Sequence, residues 1–166
     1  RDHFQAYKKA VELLKGKILT IRTVDLGADK MVQGKHETPE RNPFLGNRSI
    51  RYCLRNQPMF KRQLRAILRA SGFGPLKVMF PLITTTSELR QARYLLNDVM
   101  EDLAEDGVGF DRDLEVGMMV EVPSAAMQAA AETAFCSRAS SAKTAAPTVP
   151  ARAPAPATAF VRRTAA

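Results

Sequence analysis

The order of apolar runs along this 166-residue chain predicts an α/β fold, with parallel strands in a sheet or barrel joined by helices. Three observations carry the prediction. Short β-rich runs such as ILTI and KVMF alternate with longer stretches of helical spacing. Glycines stand where three of those helical stretches should stop, at Gly16, Gly72 and Gly107. Strands separated by helices imply parallel pairing, since parallel neighbours need a long crossover and antiparallel ones need only a hairpin.

The elements follow in order. Phe4, Tyr7, Val11 and Leu14 share one helical face ahead of Gly16, and KILTIRT is then a short strand ending at Arg22. In NPFLGNRSIRYCL, Pro43 and Gly46 punctuate a loop, and Ser49 to Leu54 read as a short strand leading towards a helix. Pro58 suits the first position of that helix, which Phe60, Leu64, Ile67 and Leu68 line on one side before Gly72. LKVMFPL is a buried strand closed by Pro81. Thr85 and Glu88 have capping-box spacing, and Leu89, Ala92, Leu96, Val99 and Leu103 form the apolar stripe of a long helix ending at Gly107. LEVGMMVEVP is a fourth strand with Glu121 near its end, and SAAMQAAA opens another helix.

Apolar residues make up 45% of the chain and charged ones 25%, the balance of a soluble globular protein. No run approaches the roughly 18 apolar residues of a membrane helix, and no secretory leader opens the chain, which begins with Arg1 as an internal piece would. Cys53 and Cys136 form neither a disulfide framework nor a zinc set, so the expected location is a reducing cytoplasm. Half of the net charge of +8 lies after residue 131, where Arg138, Lys143, Arg152, Arg162 and Arg163 face only Glu132. From about Thr133 the chain is dominated by Ala, Pro, Ser, Thr and Arg without apolar periodicity. The expected organisation is a folded domain over 1–131 and a low-complexity tail over 132–166, disordered or read in a shifted frame.

Charged residues gather where strands end. Arg22 follows ILTI, Arg48 precedes its expected strand and Glu121 follows MMV. In a β/α barrel the C-terminal strand ends share the catalytic face. Arginine's planar fork suits phosphate and carboxylate, and a carboxylate nearby suits Mg²⁺. Each residue also has a plainer role. Arg22 can be an ordinary salt-bridge residue with Asp25 or Asp29, Glu121 a solvated strand terminus, and Asp25 to Asp29 a polar turn around Gly27. Lys30, His3 and His36 read as surface residues, Met118 and Met119 as core, and Cys53 as a small buried hydrophobe. Spacing by itself leads to an α/β domain with a possible anion site.

The blocks RTVDLGADK, NPFLGNRSIR, QLRAILRAS, VMFPLI and VGMMVEVPSAA, in this order, resemble the phosphoenolpyruvate-binding domain of enzyme I, the phosphoenolpyruvate-protein phosphotransferase of the bacterial sugar phosphotransferase system. The likeness runs from about Phe4 to Ala131. It implies part of a (β/α)8 barrel, roughly strands two to five. By position, Arg22 and Arg48 match arginines that bind the phosphate of phosphoenolpyruvate, and Glu121 matches a Mg²⁺ ligand. The family passes the phosphoryl group to a histidine on a mobile domain and then to a small phosphocarrier protein, and its intact members form homodimers. Asp25, Asp29 and Lys30 belong to the motif as residues that shape the loop.

The chain departs from the pattern after Ala131, where CSRASSAKT stands in place of an S-x-G-T-N-D-L type block. A later arginine, the enolate-protonating cysteine and the phosphorylated histidine are not matched. The expectation is therefore a fragment inactive in phosphotransfer by itself. Pyruvate phosphate dikinases and phosphoenolpyruvate synthases, which share a block like NPFLGNR, are the alternative parentage. A basic module contacting nucleic acid through its tail is the alternative from another class, and it predicts binding that falls steeply with salt and survives loss of Arg22.

Overall fold

The computed structural model describes residues 2–26 and 46–128. Helix α1 (Asp2–Leu13) leads into strand β1 (Leu19–Arg22). Two helices, α2 (Ser49–Arg55) and α3 (Gln57–Ser71), precede β2 (Leu76–Phe80). Helix α4 (Thr86–Glu105) then connects to β3 (Glu115–Met118), and residues 123–128 turn again into helix. The strands form one sheet in the order β1-β2-β3, parallel throughout, with Ile21 opposite Val78 and Val78 opposite Val116. The described residues thus form a mixed α/β fold around a small parallel sheet, and no described helix is long and apolar enough to cross a membrane.

Strand alternation sorts the sheet into two faces. Leu19, Ile21, Leu76, Val78, Phe80, Val116 and Met118 join the core built by the helices, including Phe60, Leu64 and Ile67 of α3 and Leu89, Leu96 and Val99 of α4. The register places Thr20, Arg22, Lys77, Met79, Glu115 and Gly117 on the opposite face. There Lys77 Nζ meets Glu115 Oε2 at 2.7 Å across neighbouring strands. Gly74, just before β2, lets α1 come close, since a Cβ there would lie 2.6 Å from Val11 Cγ1.

Several expectations hold locally. The Thr85–Glu88 capping box is complete in both directions, and Pro58 lies in the first turn of α3, one residue after the expected first position, which Gln57 takes. Gly107 takes φ +68, the left-handed conformation that ends α4, where an L side chain would be strained. Of the methionine pair expected in the core, Met118 packs against it, whereas Met119 is partly buried outside it.

The segment from Ser49 to Leu54 corrects the expectation of a strand. It is helical, so the described residues hold three strands where four were expected, and Arg48 is the N-cap of α2. Ile50 and Cys53, both fully buried, lie three apart and fall on one helical face. Over six residues that spacing is hard to separate from strand alternation, and the β-branched and aromatic side chains favoured the wrong period. Gly27, Asp29, Lys30, His36, Cys136, the 131/132 boundary and the tail lie outside the described residues.

Candidate functional site

Parallel pairing sends every strand's C-terminal end to one edge of the sheet. Arg22 is the last residue of β1 and pairs with Met79, and Phe80, the last residue of β2, pairs with Met118. Beyond these ends the chain leaves β1 through Asp25, turns after β2 at Pro81 and Leu82, and passes Glu121 before the helical turn at 123–128.

Arg22 and Arg48 meet through one carboxylate. Arg22 Nη1 lies 3.3 Å from Asp25 Oδ2, and Arg48 Nη2 lies 3.4 Å from Asp25 Oδ1. The plain pairing of Arg22 with Asp25 is thus present, and Arg48 joins it from α2. The backbone around Asp25 is held on both sides. Val24 N–H donates to Gln63 Oε1 at 3.0 Å, Cys53 Sγ contacts Val24 O at 3.7 Å, and Ser49 N–H donates to Leu26 O at 2.7 Å. Gln63 is buried on α3, and its Nε2 donates to Tyr7 Oη at 3.1 Å, which connects α1 to the exit of β1.

A second network fixes the loop that carries Arg48. Arg51 Nε donates to Glu88 Oε1 at 3.1 Å, while its Nη2 reaches Thr84 Oγ1 at 3.1 Å and its Nη1 reaches Gly46 O at 3.4 Å. Glu88 Oε2 also accepts from Thr84 N–H at 2.8 Å, Thr84 Oγ1 at 2.7 Å and Thr85 N–H at 3.0 Å. Burial acts to raise the Glu88 carboxyl, but the hydrogen bonds from Thr84, Arg51 and Thr85 together hold it below its ordinary value.

Glu121 is exposed and leans towards the central strand, where its Oε2 accepts from Leu82 N–H at 2.8 Å. Leu82 has φ +52, a strained conformation for a leucine, at the turn that aims this N–H. Arg22 on β1 and Glu121 beyond β3 therefore lie on either side of the end of β2, the central strand. Glu121 makes no other polar contact among the described residues. Those residues contain no group of three or more His, Cys, Asp or Glu side chains able to enclose a metal. Mg²⁺ commonly takes only one or two protein carboxylates and completes its shell with substrate oxygens and water. A single oriented, solvent-facing carboxylate fits that share of a Mg²⁺ site.

Cys53 lies beneath the cluster. It is fully buried, and burial, followed by the negative charge of Asp25, pushes its thiol up to about 12. A thiol reagent at pH 8 is expected to label Cys53 only after denaturation, with peptide mass spectrometry separating it from Cys136. Rapid labelling in the folded chain would contradict this packing. His3 is exposed and paired with Tyr7 Oη at 3.5 Å, consistent with a surface residue.

The sequence singled out Arg22 and Glu121 near the ends of strands and Arg48 at the start of a segment that proves to be helix α2. Gln63 and Arg51 escaped it. The available signals were a polar residue within the apolar face of α3 and a second arginine three residues after Arg48.

Comparison with known proteins shows relatives of the chain by sequence. The family described as PEP-utilising enzyme, PEP-binding domain, matches residues 1–139. Proteins named phosphoenolpyruvate-protein phosphotransferase are similar over most of the chain. The one from Priestia megaterium is 48% identical over 126 residues, and that from Bacillus subtilis (strain 168) is 47% identical over 126 residues. Each match covers 76% of this chain and 22% of the relative. The Staphylococcus aureus (strain MSSA476) protein is 44% identical over 125 residues, covering 75% of this chain and 22% of its own length. The chain therefore spans under a quarter of the curated relatives it matches.

Proposed function

Since this chain belongs to the PEP-utilising enzymes through their PEP-binding domain, we propose that it is the phosphoenolpyruvate-gripping part of a phosphoenolpyruvate-protein phosphotransferase. Arg22 and Arg48 hold the phosphoryl group, and Glu121 supplies a carboxylate to Mg²⁺. The observation that carries this reading is the meeting of Arg22 and Arg48 on Asp25, which sets two guanidinium groups around one place at the strand ends. Half of the Arg22 side chain is exposed there, so its fork can donate to phosphoryl oxygens arriving from solvent.

The chemistry asked of these residues is positioning and neutralisation of charge as the phosphoryl group leaves the enolate oxygen. Bound Mg²⁺ would withdraw charge from the same oxygens. In the whole protein the phosphoryl group passes to an enzyme histidine and then to a phosphocarrier protein, and two copies assemble as a homodimer. The three parallel strands and their outer helices form part of a (β/α)8 barrel carried by residues 1–131.

Isothermal titration of phosphoenolpyruvate into the 166-residue chain tests the assignment. Binding is expected to strengthen with Mg²⁺ and to weaken about tenfold or more in Arg22→Ala. Equal affinity for the wild-type chain and this variant would refute it.

A further inference from the structure

We propose that Asp25 is the fixed anchor of the arginine pair, a positioning residue whose removal weakens phosphate binding even though it takes a negative charge away from an anion site. The inference rests on the anion-binding reading of Arg22 and Arg48. A carboxylate between two arginines can act in two opposite ways. A movable one would occupy the place of the phosphate and yield to it, and its loss would tighten binding. An immovable one would hold two mutually repelling cations together, and its loss would loosen them.

The surroundings of Asp25 select the second role. Its backbone neighbours are tied to two helices: Val24 N–H to Gln63 of α3, Val24 O to Cys53 of α2, and Leu26 O to the Ser49 N–H of α2. One residue earlier on that segment, the Thr23 N–H still donates to Met79 O at 3.0 Å, extending the sheet. Asp25 therefore stands on backbone that is hydrogen-bonded to the sheet and to two helices at the residues on either side of it.

Exposure gives the order of approach. The Asp25 side chain is 16% exposed and that of Arg22 50%, so an anion arriving from solvent meets the guanidinium first, with the carboxylate behind it. Arg22 contacts Asp25 through Nη1 at 3.3 Å, and Arg48 reaches the other carboxylate oxygen through Nη2 at 3.4 Å. A contact of this kind orients the half-exposed Arg22 while part of its fork still faces solvent. Without the anchor, two long cationic side chains would repel each other and have to be ordered again whenever ligand binds, a cost that subtracts from affinity.

The test uses the full chain, with inorganic phosphate and phosphoenolpyruvate titrated separately into wild type, Asp25→Asn and Asp25→Glu. Phosphate affinity is expected to fall about tenfold in Asp25→Asn and to be largely kept in Asp25→Glu, which retains the charge. In ligand-free ¹⁵N spectra the Arg22 Nη–H protons are expected to exchange faster with water in Asp25→Asn while the backbone amide pattern stays in place. A role limited to folding would move the backbone pattern instead. Unchanged or tighter phosphate binding by Asp25→Asn, or equal loss in both variants, overturns the anchor. Asp25-dependent phosphate binding without phosphoenolpyruvate binding would defeat the proposed function and leave the anchor standing. A wild-type chain that binds neither anion overturns both.

Discussion

Phe80→Ala is expected to destabilise the fold by about 3–5 kcal/mol, the usual result of emptying an aromatic site in a core. Phe80 is fully buried and ends the central strand. Its ring meets that of Phe60 edge-on, 6.1 Å between centroids at 64°, which joins β2 to α3. Its carbonyl accepts from Met119 N–H at 2.9 Å, so collapse around a smaller side chain would also disturb the approach to Glu121. Domains are stable by only about 5–15 kcal/mol, and such a loss would leave many molecules unfolded at ambient temperature. Urea denaturation followed by circular dichroism measures it. Phe80→Leu, which fills most of the space, should cost clearly less, and an alanine variant losing under about 1 kcal/mol would show that this end of the sheet is not packed as described.

Glu88→Gln is expected to cost about 2–3 kcal/mol at neutral pH, because it removes the charged partner of Arg51 and weakens the carboxylate's hydrogen bonds to Thr84 and Thr85. The loss should depend on pH in a defined direction. The folded chain holds the Glu88 carboxyl below its ordinary value, so the folded state favours the ionised form. Its stabilisation is complete above the unfolded-state value of about 4.3 and is lost as pH falls through the lower folded-state value. The gap between wild type and variant should therefore be constant from about pH 6 upwards and narrow below about pH 4. A gap that does not change across that acid range would mean that Glu88 acts through shape alone.

The legible parts of the fold were those encoded by local rules. The long helix announced itself through Thr85, Glu88 and a stripe of apolar residues, and α3 through Pro58 and the face from Phe60 to Leu68. Rules of this kind act within one or two turns, so they do not need the rest of the chain. Ser49 to Leu54 was misread because its buried pair, Ile50 and Cys53, is too short a pattern to fix a period. The site was legible as residue types close to the C-terminal edge of the sheet, with Arg22 ending β1 and Glu121 following β3. Its wiring was not, since Gln63 meets Val24, and Arg51 meets Glu88, only after the crossovers have folded back. Likewise, the pairing of Arg22 with Asp25 could be anticipated from their closeness in sequence, whereas the arrival of Arg48 on the other oxygen depends on where α2 docks.

The parallel order of β1, β2 and β3 also governs how the chain must assemble in time. Leu19 finds Leu76, and Lys77 finds Glu115, only after whole helical connections have been closed, so no strand pair can form as a local hairpin. Loop closure makes such long-range pairings slow relative to helix formation. Helices can flicker into place early, but the two arginines share a carboxylate only once β1 has been locked beside β2 and α2 has settled behind them. Competence to hold an anion should therefore appear among the last events of refolding, and its recovery would serve as a clock for completion of the sheet.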